Sequence, residues 1–521
     1  MKPRSYGQLV QQTDAHVASV PAPVGGWNAR DAYANMDPLD AITLTNLFPT
    51  PSTVQIRGGA TTWATGMSGQ VQSIFVYNGA NTSKMFAADA TGKKFYDVTA
   101  GGAVGAAVVS GLTNALWEYA NISTSGGNYM YTVNGVDKPE FYDGATWVAV
   151  DSGSTPAITG VTTTSLSNVL LFKNRLWFIE KNTLKAWYLP TQSIGGAAQA
   201  LDLRSIARDG GYLVDFDVWT TDAGYGLDDM LVFITSQGET IIYRGTDPAS
   251  AATWTLVGVW KFGAPVTNRC MLKFGGDLLI NTLDGLLPLS ASLESDRLDP
   301  KDAISYKIQN AISIASSLYG SNTGWQIFAF PAENALILNV PIGVGSQQQY
   351  VMNTITRNWC NFTGWPANCW ALFNDQPYYG ANGIVVKAWD STFSDGTSNI
   401  VTQCQQAFNY FDQRGVVKYF TRARPGILTT GAPSISIGMN VDFNTNFTTT
   451  PLTYAPITYA AWDSAKWDQS VWGQGLVVQN NWQGITGVGY CGSLQFESAS
   501  MGINIQWAST DVVFQAGWAG I

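Results

Sequence analysis

Charge is what this sequence has least of. Only 12% of its 521 residues are Asp, Glu, Lys or Arg, about half the usual share, which excludes a surface of long, ion-pair-laced helices. Glu-, Lys- and Ala-rich amphipathic stretches are nearly absent, and the best helix candidate is the short piece from Lys301 to Ser317. Histidine occurs once, as His16 in a polar leader. A Ser-His-Asp or Cys-His centre would have to recruit that residue from a mobile arm, so neither is expected. The five cysteines (Cys270, Cys360, Cys369, Cys404 and Cys491) are odd in number, dispersed and without CxxC spacing. They make a poor disulfide framework and no zinc site, and read as free, mostly buried thiols of a reducing cytoplasm. No run approaches 18 apolar residues, and the first 20 residues hold no continuous apolar segment, so neither a membrane span nor a secretion signal is expected. A GxxxxGK[ST] loop is missing too. The one GxGxxG string, GVGYCG with Gly487, Gly489 and Gly492, is followed by strand-like SLQFES instead of a helix and reads as a turn. No catalytic residue, cofactor or metal ligand is assigned.

What fills the chain instead is Gly (53), Trp (20), Tyr (22) and many Ser, Thr and Asn. That mixture favours short strands joined by tight turns, an all-β chain. Its length exceeds what one core supports, so several units or one repeated unit are expected. The net charge of -9 and pI near 4.7 argue against a protein that wraps nucleic acid through a general basic surface.

A phrase recurs. KMFAADATGKKFYDV, GNYMYTVNGVDKPEFYDG and KNRLWFIEKNTLKAWYL place Tyr96, Tyr142 and Tyr188 at steps of 46 residues, and DDMLVFITSQGETIIYRG follows with Tyr243. GGDLLINTLDGLLPLS continues to Leu289, and looser copies run on to Trp359 and Trp389. Each copy is a hairpin whose break carries Asn-Gly, Gln-Gly, Asp-Gly or another pair that accepts positive φ. A lone hairpin is marginal in water, so the copies must stack, and a period in the forties suits propeller blades. The aromatic closing the second strand would then fill the space between blades. The reading is a β-propeller of six to seven blades over residues 60–399, set against a large β-sandwich with coincidental spacing. From Ile400 the phrase stops and long alternating strands such as SISIGMNVDF and INIQW appear. A C-terminal, β-sandwich-like platform domain is placed at 400–521, and residues 1–59 are an extended N-terminal arm leading into it.

Paired carboxylates for hydrolysis could be drawn in many ways, and none is singled out. YDGATW (Tyr142 to Trp147) is an incomplete Asp box, and the Trp-Asp pairs at 389, 462 and 467 lack a partner histidine; both read as structural turns. Exposed Trp could form a carbohydrate platform, but with 20 in the chain most are core or interface anchors. Trp462, Trp467 and Trp472, five apart, suit neither a strand face nor a helix face and read as a loop folded over its own indoles; they are candidate interface anchors.

RGVVKYFTRAR is the densest cation cluster. Strand periodicity would put Arg414, Lys418, Arg422 and Arg424 on one outward face. Downstream, residues 425–521 hold one cation, Lys466, against five acids. That asymmetry would suit an acidic neighbouring subunit or a phosphate backbone, and equally a solvated strand face.

The stretch GGWNARDAYANMDPLDAITLTNLFPTPSTVQIRGG (Gly25 to Gly59), the hairpin phrases, and then FNYFDQRGVVKYFTRARPGILTTGAPSISIGMNVDF together resemble the tail nozzle family, also called tail tubular protein B, of short-tailed bacteriophages (podoviruses). The resemblance is one of order and texture across most of the chain, without a catalytic string. It implies a structural, non-enzymatic virion protein: a homo-hexameric ring below an adaptor or head-to-tail connector, carrying tail fibres, through which double-stranded DNA is ejected. It implies assembly in the host cytoplasm and residence in the virion tail. A lumen that passes DNA should be lined with carboxylates, not with Lys and Arg. Within this expectation Trp27 and Phe48 anchor the arm to the C-terminal domain, and Arg414, Lys418, Arg422 and Arg424 form a docking surface or a DNA entrance. The rivals are a receptor- or glycan-binding, even glycan-degrading, tail propeller, and another short-tail component of the same texture.

Overall fold

The computed structural model describes residues 15–222, 227–292, 300–454 and 475–517, and the chain divides into two compact units. One holds Gly58–Arg357 and Phe362–Ser391; the other holds residues up to Arg57, Asn358–Asn361 and Thr392 onward. Boundaries at 59/60 and 399/400 read from the sequence thus compare with divisions at Arg57/Gly58 and Ser391/Thr392.

The first unit is a β-propeller. Seven successive antiparallel sheets begin with the strands Gly59–Asn78, Glu118–Thr124, Leu166–Phe172, Leu213–Asp222, Met271–Phe274, Gln326–Phe330 and Cys369–Phe373. Each of these first strands packs on the next, and the seventh packs back on Gly59–Asn78, so the order is cyclic. Closure is made by the two ends of this unit: Asn382–Asp390 of the seventh sheet pairs antiparallel with the opening part of Gly59–Asn78, from Asp390↔Gly59 to Asn382↔Gln70. The remainder of that long strand, from Val71, pairs with Ser83–Asp89 to start the first sheet. At the junction only glycine fits position 380, where a Cβ would lie 2.6 Å from Val71 Cγ1 and 2.7 Å from its carbonyl oxygen.

The turns follow local chemistry. Lys173-Asn174 and Asn374-Asp375 both hold two consecutive positive φ angles, the geometry of tight hairpins. Gly135, Gly238 and Gly285, second residues of the Asn-Gly, Gln-Gly and Asp-Gly pairs, lie at φ 69°, 83° and 121°. The recurrent phrase is the hairpin of strands two and three in each sheet: Met130 pairs with Tyr142, Trp177 with Tyr188 and Leu231 with Tyr243.

The cores lie between sheets, but the aromatic closing each phrase does not always face the same way. Tyr96, Tyr142 and Tyr243 join clusters shared with the preceding sheet. Tyr188 packs with Phe216 and Phe233 of the following sheet, while Trp187 takes the opposite face. Equal spacing along the chain therefore conceals a shift of one residue, which in a strand exchanges the faces. Leu289, aligned with these tyrosines by spacing, lies beyond its strand in a four-residue helix, Leu289–Ser292. The helix expected over Lys301 to Ser317 is two 3-10 turns followed by Gln309–Tyr319.

The second unit is a two-sheet sandwich. In one sheet Lys418–Thr429 pairs with Ile505–Ala516, Gln483–Gly489 and Val477–Gln479, while Ile505–Ala516 also takes Ala15–Pro21 and Val54–Ile56. In the other, Asp40–Thr45, Ile400–Gln406, Gly492–Ser500 and Ile435–Val441 run in that order. Phe496 of one sheet stacks on Trp507 of the other at 4.7 Å. His16, expected in a mobile leader, sits in a strand paired with Phe514, because seven residues of backbone register hold it there. The five cysteines are free and buried.

Candidate functional site

Two places gather charge and chemistry: the hub of the propeller and the basic strand of the sandwich. The first strands of the seven sheets surround a cavity of about 500 Å³. Its charged residues are Glu118, Asp215, Asp217 and Arg269, contributed by the second and fourth sheets and the segment before the fifth.

Arg269 reaches across the hub. Its guanidinium donates to Glu118 Oε1 at 2.7 Å, to the carbonyls of Gln72 and Trp117 at 3.2 and 2.8 Å, and to Ser73 Oγ at 2.8 Å. Burial opposes its charge, but Glu118, with Cys369 and Tyr119 adding to it, holds the guanidinium above its ordinary value. Asp215 accepts hydrogen bonds from the backbone N–H of Cys270 and Met271 and from Asn168 Nδ2, so it ties the fourth sheet to the third and fifth. Burial raises its carboxyl well above the usual range, with Glu118 and Asp217 adding to the effect. Asp217 is raised to about 6 by burial, against the pull of the Val218 N–H and Lys273. Glu118 is thus neutralised by an arginine, and Asp215 is held in a backbone clamp. Sequence reasoning missed this set because Glu118 and Arg269 are 151 positions apart and share no local pattern.

The basic strand differs from the expected outward row of four. Arg414 precedes the strand Lys418–Thr429 and lies over the Tyr410 ring at 4.5 Å. Lys418 is fully buried, and its Nζ donates to the carbonyl oxygens of Gln413, Val416 and Tyr490 at 2.6, 3.0 and 2.9 Å. Burial lowers its pKa, which Cys491 and Asp442 partly offset. The pairing register slips at Thr421, between Phe420 and Arg422. This bulge moves the strand's inward set from Lys418 and Phe420 to Ala423, Pro425 and Ile427, so it leaves Arg422 exposed and Arg424 half-exposed. Arg424 binds Asp511 Oδ2 at 2.6 Å and lies 4.8 Å from the Trp482 ring. Arg422 and Arg424 thus share the outer face, while Lys418 is removed from it as a carbonyl-binding core residue.

Of the expected anchors, Phe48 is 2% exposed in the strand Leu47–Pro49, whose partner Val54–Ile56 pairs in turn with Ile505–Ala516. Trp27 is half-buried in Gly26–Trp27, beside Asp40–Thr45. Trp462, Trp467 and Trp472 lie outside the described residues. YDGATW forms the expected turn: Asp143 Oδ1 accepts the N–H groups of Ala145 and Thr146. In GVGYCG, Gly489 ends one strand and Gly492 opens the next.

No known family's sequence model matches the chain, and no curated protein matches it. Among solved structures, the chain is similar to YCF48 bound to a D1 peptide, at 13% identity and a TM-score of 0.39, over 67% of this chain and 98% of that one. It is also similar to BBS1N in complex with ARL6DN, at 10% identity and 0.39, over 64% and 98%. A third is a 6-phosphogluconolactonase-like protein of Bacteroides fragilis, at 10% identity and 0.34, over 67% and 90%. At such scores the similarity carries no argument, and the propeller assignment rests on the cyclic order of its seven sheets.

Proposed function

We propose that this chain is a structural, non-enzymatic subunit of a short phage tail, one of several copies arranged as a nozzle ring through which double-stranded DNA is ejected. One observation carries the reading: the two stretches that resemble the nozzle family build one unit. Asp40–Thr45 pairs with Ile400–Gln406, and Asn46 Nδ2 donates to the carbonyl of Val401, 355 positions away. Val54–Ile56 and Lys418–Thr429 are joined through Ile505–Ala516. The arm and the C-terminal segment thus share one sandwich, which supports reading them as the platform by which the tail piece docks.

The hub supports a non-enzymatic reading, since Glu118 and Asp215 are both engaged and hydrolysis needs two available carboxylates. A cavity of about 500 Å³ crossed by Arg269 also has no room for a duplex whose major groove alone is about 12 Å wide. In this reading DNA passes between copies, not through a propeller. Arg422 and Arg424 are the docking side chains.

The test is the double substitution Arg422→Glu and Arg424→Glu. An exposed pair such as Arg424–Asp511 is worth about 0–1 kcal/mol, so the variant should melt within a few degrees of the parent. Ring formation and the yield of tailed, infectious particles should fall at least tenfold. Normal particles and infectivity in a correctly folded variant would discard the docking role.

A further inference from the structure

We propose that copies of this chain join edge to edge, the strand Ala15–Pro21 of one copy pairing with Gln483–Gly489 of the next so that one sheet runs across both. The inference rests on the ring reading above and names the seam of that ring.

At this level the sandwich sheet is four strands wide: Ala15 lies opposite Gln515, Gln515 opposite Tyr419, and Tyr419 opposite Val488. Among the described residues Ala15–Pro21 pairs only with Ile505–Ala516, and Gln483–Gly489 only with Lys418–Thr429, so each leaves one side open. All three pairings are antiparallel, and an even number of alternating strands gives the two edges opposite senses. A second copy set alongside in the same orientation therefore meets the first in an antiparallel ladder. Both edge strands are seven residues long, so the ladder is matched in length.

The open backbone groups follow from the neighbouring hydrogen bonds. Ala22 N–H donates to the Ala508 carbonyl, and bonded pairs recur every second residue in an antiparallel ladder. Val20, Ala18 and His16 thus bond toward Ile505–Ala516, while Val17 and Ser19 turn their N–H and C=O groups outward. Pro21, which has no N–H to give, falls on an outward position. Across the sheet, Gly517 N–H donates to the Val417 carbonyl. Tyr419, two residues on, bonds to the same side, which leaves the backbone of its other neighbour, Val488, facing outward.

Neither edge is guarded. Open edge strands are ordinarily blunted by charge, proline or brevity. The chain does this elsewhere: Gln199–Asp202 carries Asp202, Trp254–Lys261 carries Lys261, Thr450–Leu452 carries Pro451, and Trp147–Ala149 has three residues. Ala15–Pro21 and Gln483–Gly489 hold no Asp, Glu, Lys or Arg, and their one proline comes last. Val17 and Val488, 66% and 41% exposed, add apolar side chains for cross-strand contact. Two different surfaces of one chain that fit each other make a head-to-tail contact, the kind that closes into a ring.

The experiment is sedimentation of the full chain, whose parent form should run above the mass of one copy. Ser19→Pro and Val488→Pro each remove an outward N–H and no hydrogen bond within the sheet, and each alone should weaken self-association at least about tenfold. Ser19→Lys and Val488→Lys, which guard the same edges without altering the backbone, should act alike. Mixed one to one, a variant of each edge should form dimers and nothing larger, because one good edge remains on each copy. A parent that stays at the mass of one copy, folded variants that assemble as the parent does, or a mixture without dimers would overturn the proposal. Rings that persist in the edge variants would discard this seam and leave the tail role standing, which the Arg422 and Arg424 substitutions test separately.

Discussion

Replacing Arg269 with alanine tests whether the propeller hub is closed by charge as well as by packing. The guanidinium makes four contacts of 2.7 to 3.2 Å to the first and second sheets from the segment before the fifth. The side chains of Arg269 and Glu118 are 15% and 23% exposed. Removing one partner of a buried pair costs about 3–5 kcal/mol, because the remaining charge is stranded. Partial exposure places this pair at the lower end, about 3 kcal/mol, a large share of the 5–15 kcal/mol typical of folded proteins. Urea unfolding followed by tryptophan fluorescence reads the loss directly, since Trp117 and Trp177 are buried in the propeller. The pairwise part is isolated by adding Glu118→Gln. The double variant should be less destabilised than the sum of the two single ones, by at least about 1 kcal/mol. If Arg269→Ala lies within about 0.5 kcal/mol of the parent, or if the two effects add, the charged spoke is not what holds the hub.

Lys418→Met keeps the stem but leaves the carbonyls of Gln413, Val416 and Tyr490 without their common donor. At about 1–3 kcal/mol per orphaned group the loss should reach about 3 kcal/mol or more and should speed thiol labelling of the adjacent Cys491. Unchanged stability and labelling would refute the carbonyl-binding role. Glu140, 7% exposed, is raised to about 7 by burial, with Asp137 adding and Lys138 opposing. Its folded form holds a proton more tightly than its unfolded form, so its contribution is full below about pH 4.5 and is lost as pH rises through about 7, amounting to at most about 3 kcal/mol. Glu140→Gln should flatten the decline in urea stability between pH 5 and pH 8, and an undiminished decline would remove Glu140 as its source.

Some of this molecule is readable from one residue to the next. Lys173-Asn174 and Asn374-Asp375 make tight turns because their own backbones accept positive φ, and alternating apolar residues on either side supply the strands. Hairpins that cannot stand alone, and five cysteines with no framework to join them, follow from the same local reading. Other features were legible only in part. The phrase that ends at Tyr188 has the spacing of its neighbours, yet a shift of one residue turns that tyrosine to the following sheet. At Thr421 a single bulge undoes the period-two row and draws Lys418 into the core.

The sequence by itself determined strand, turn and the need for repeated units to stack, because backbone sterics and side-chain alternation act over a few residues. The number of sheets, the closure of the seventh by Gly59–Asn78 and the meeting of Glu118 with Arg269 were decided by tertiary structure alone. Each depends on groups far apart along the chain, and nothing in local periodicity encodes which distant partner a buried charge or an open strand edge will find.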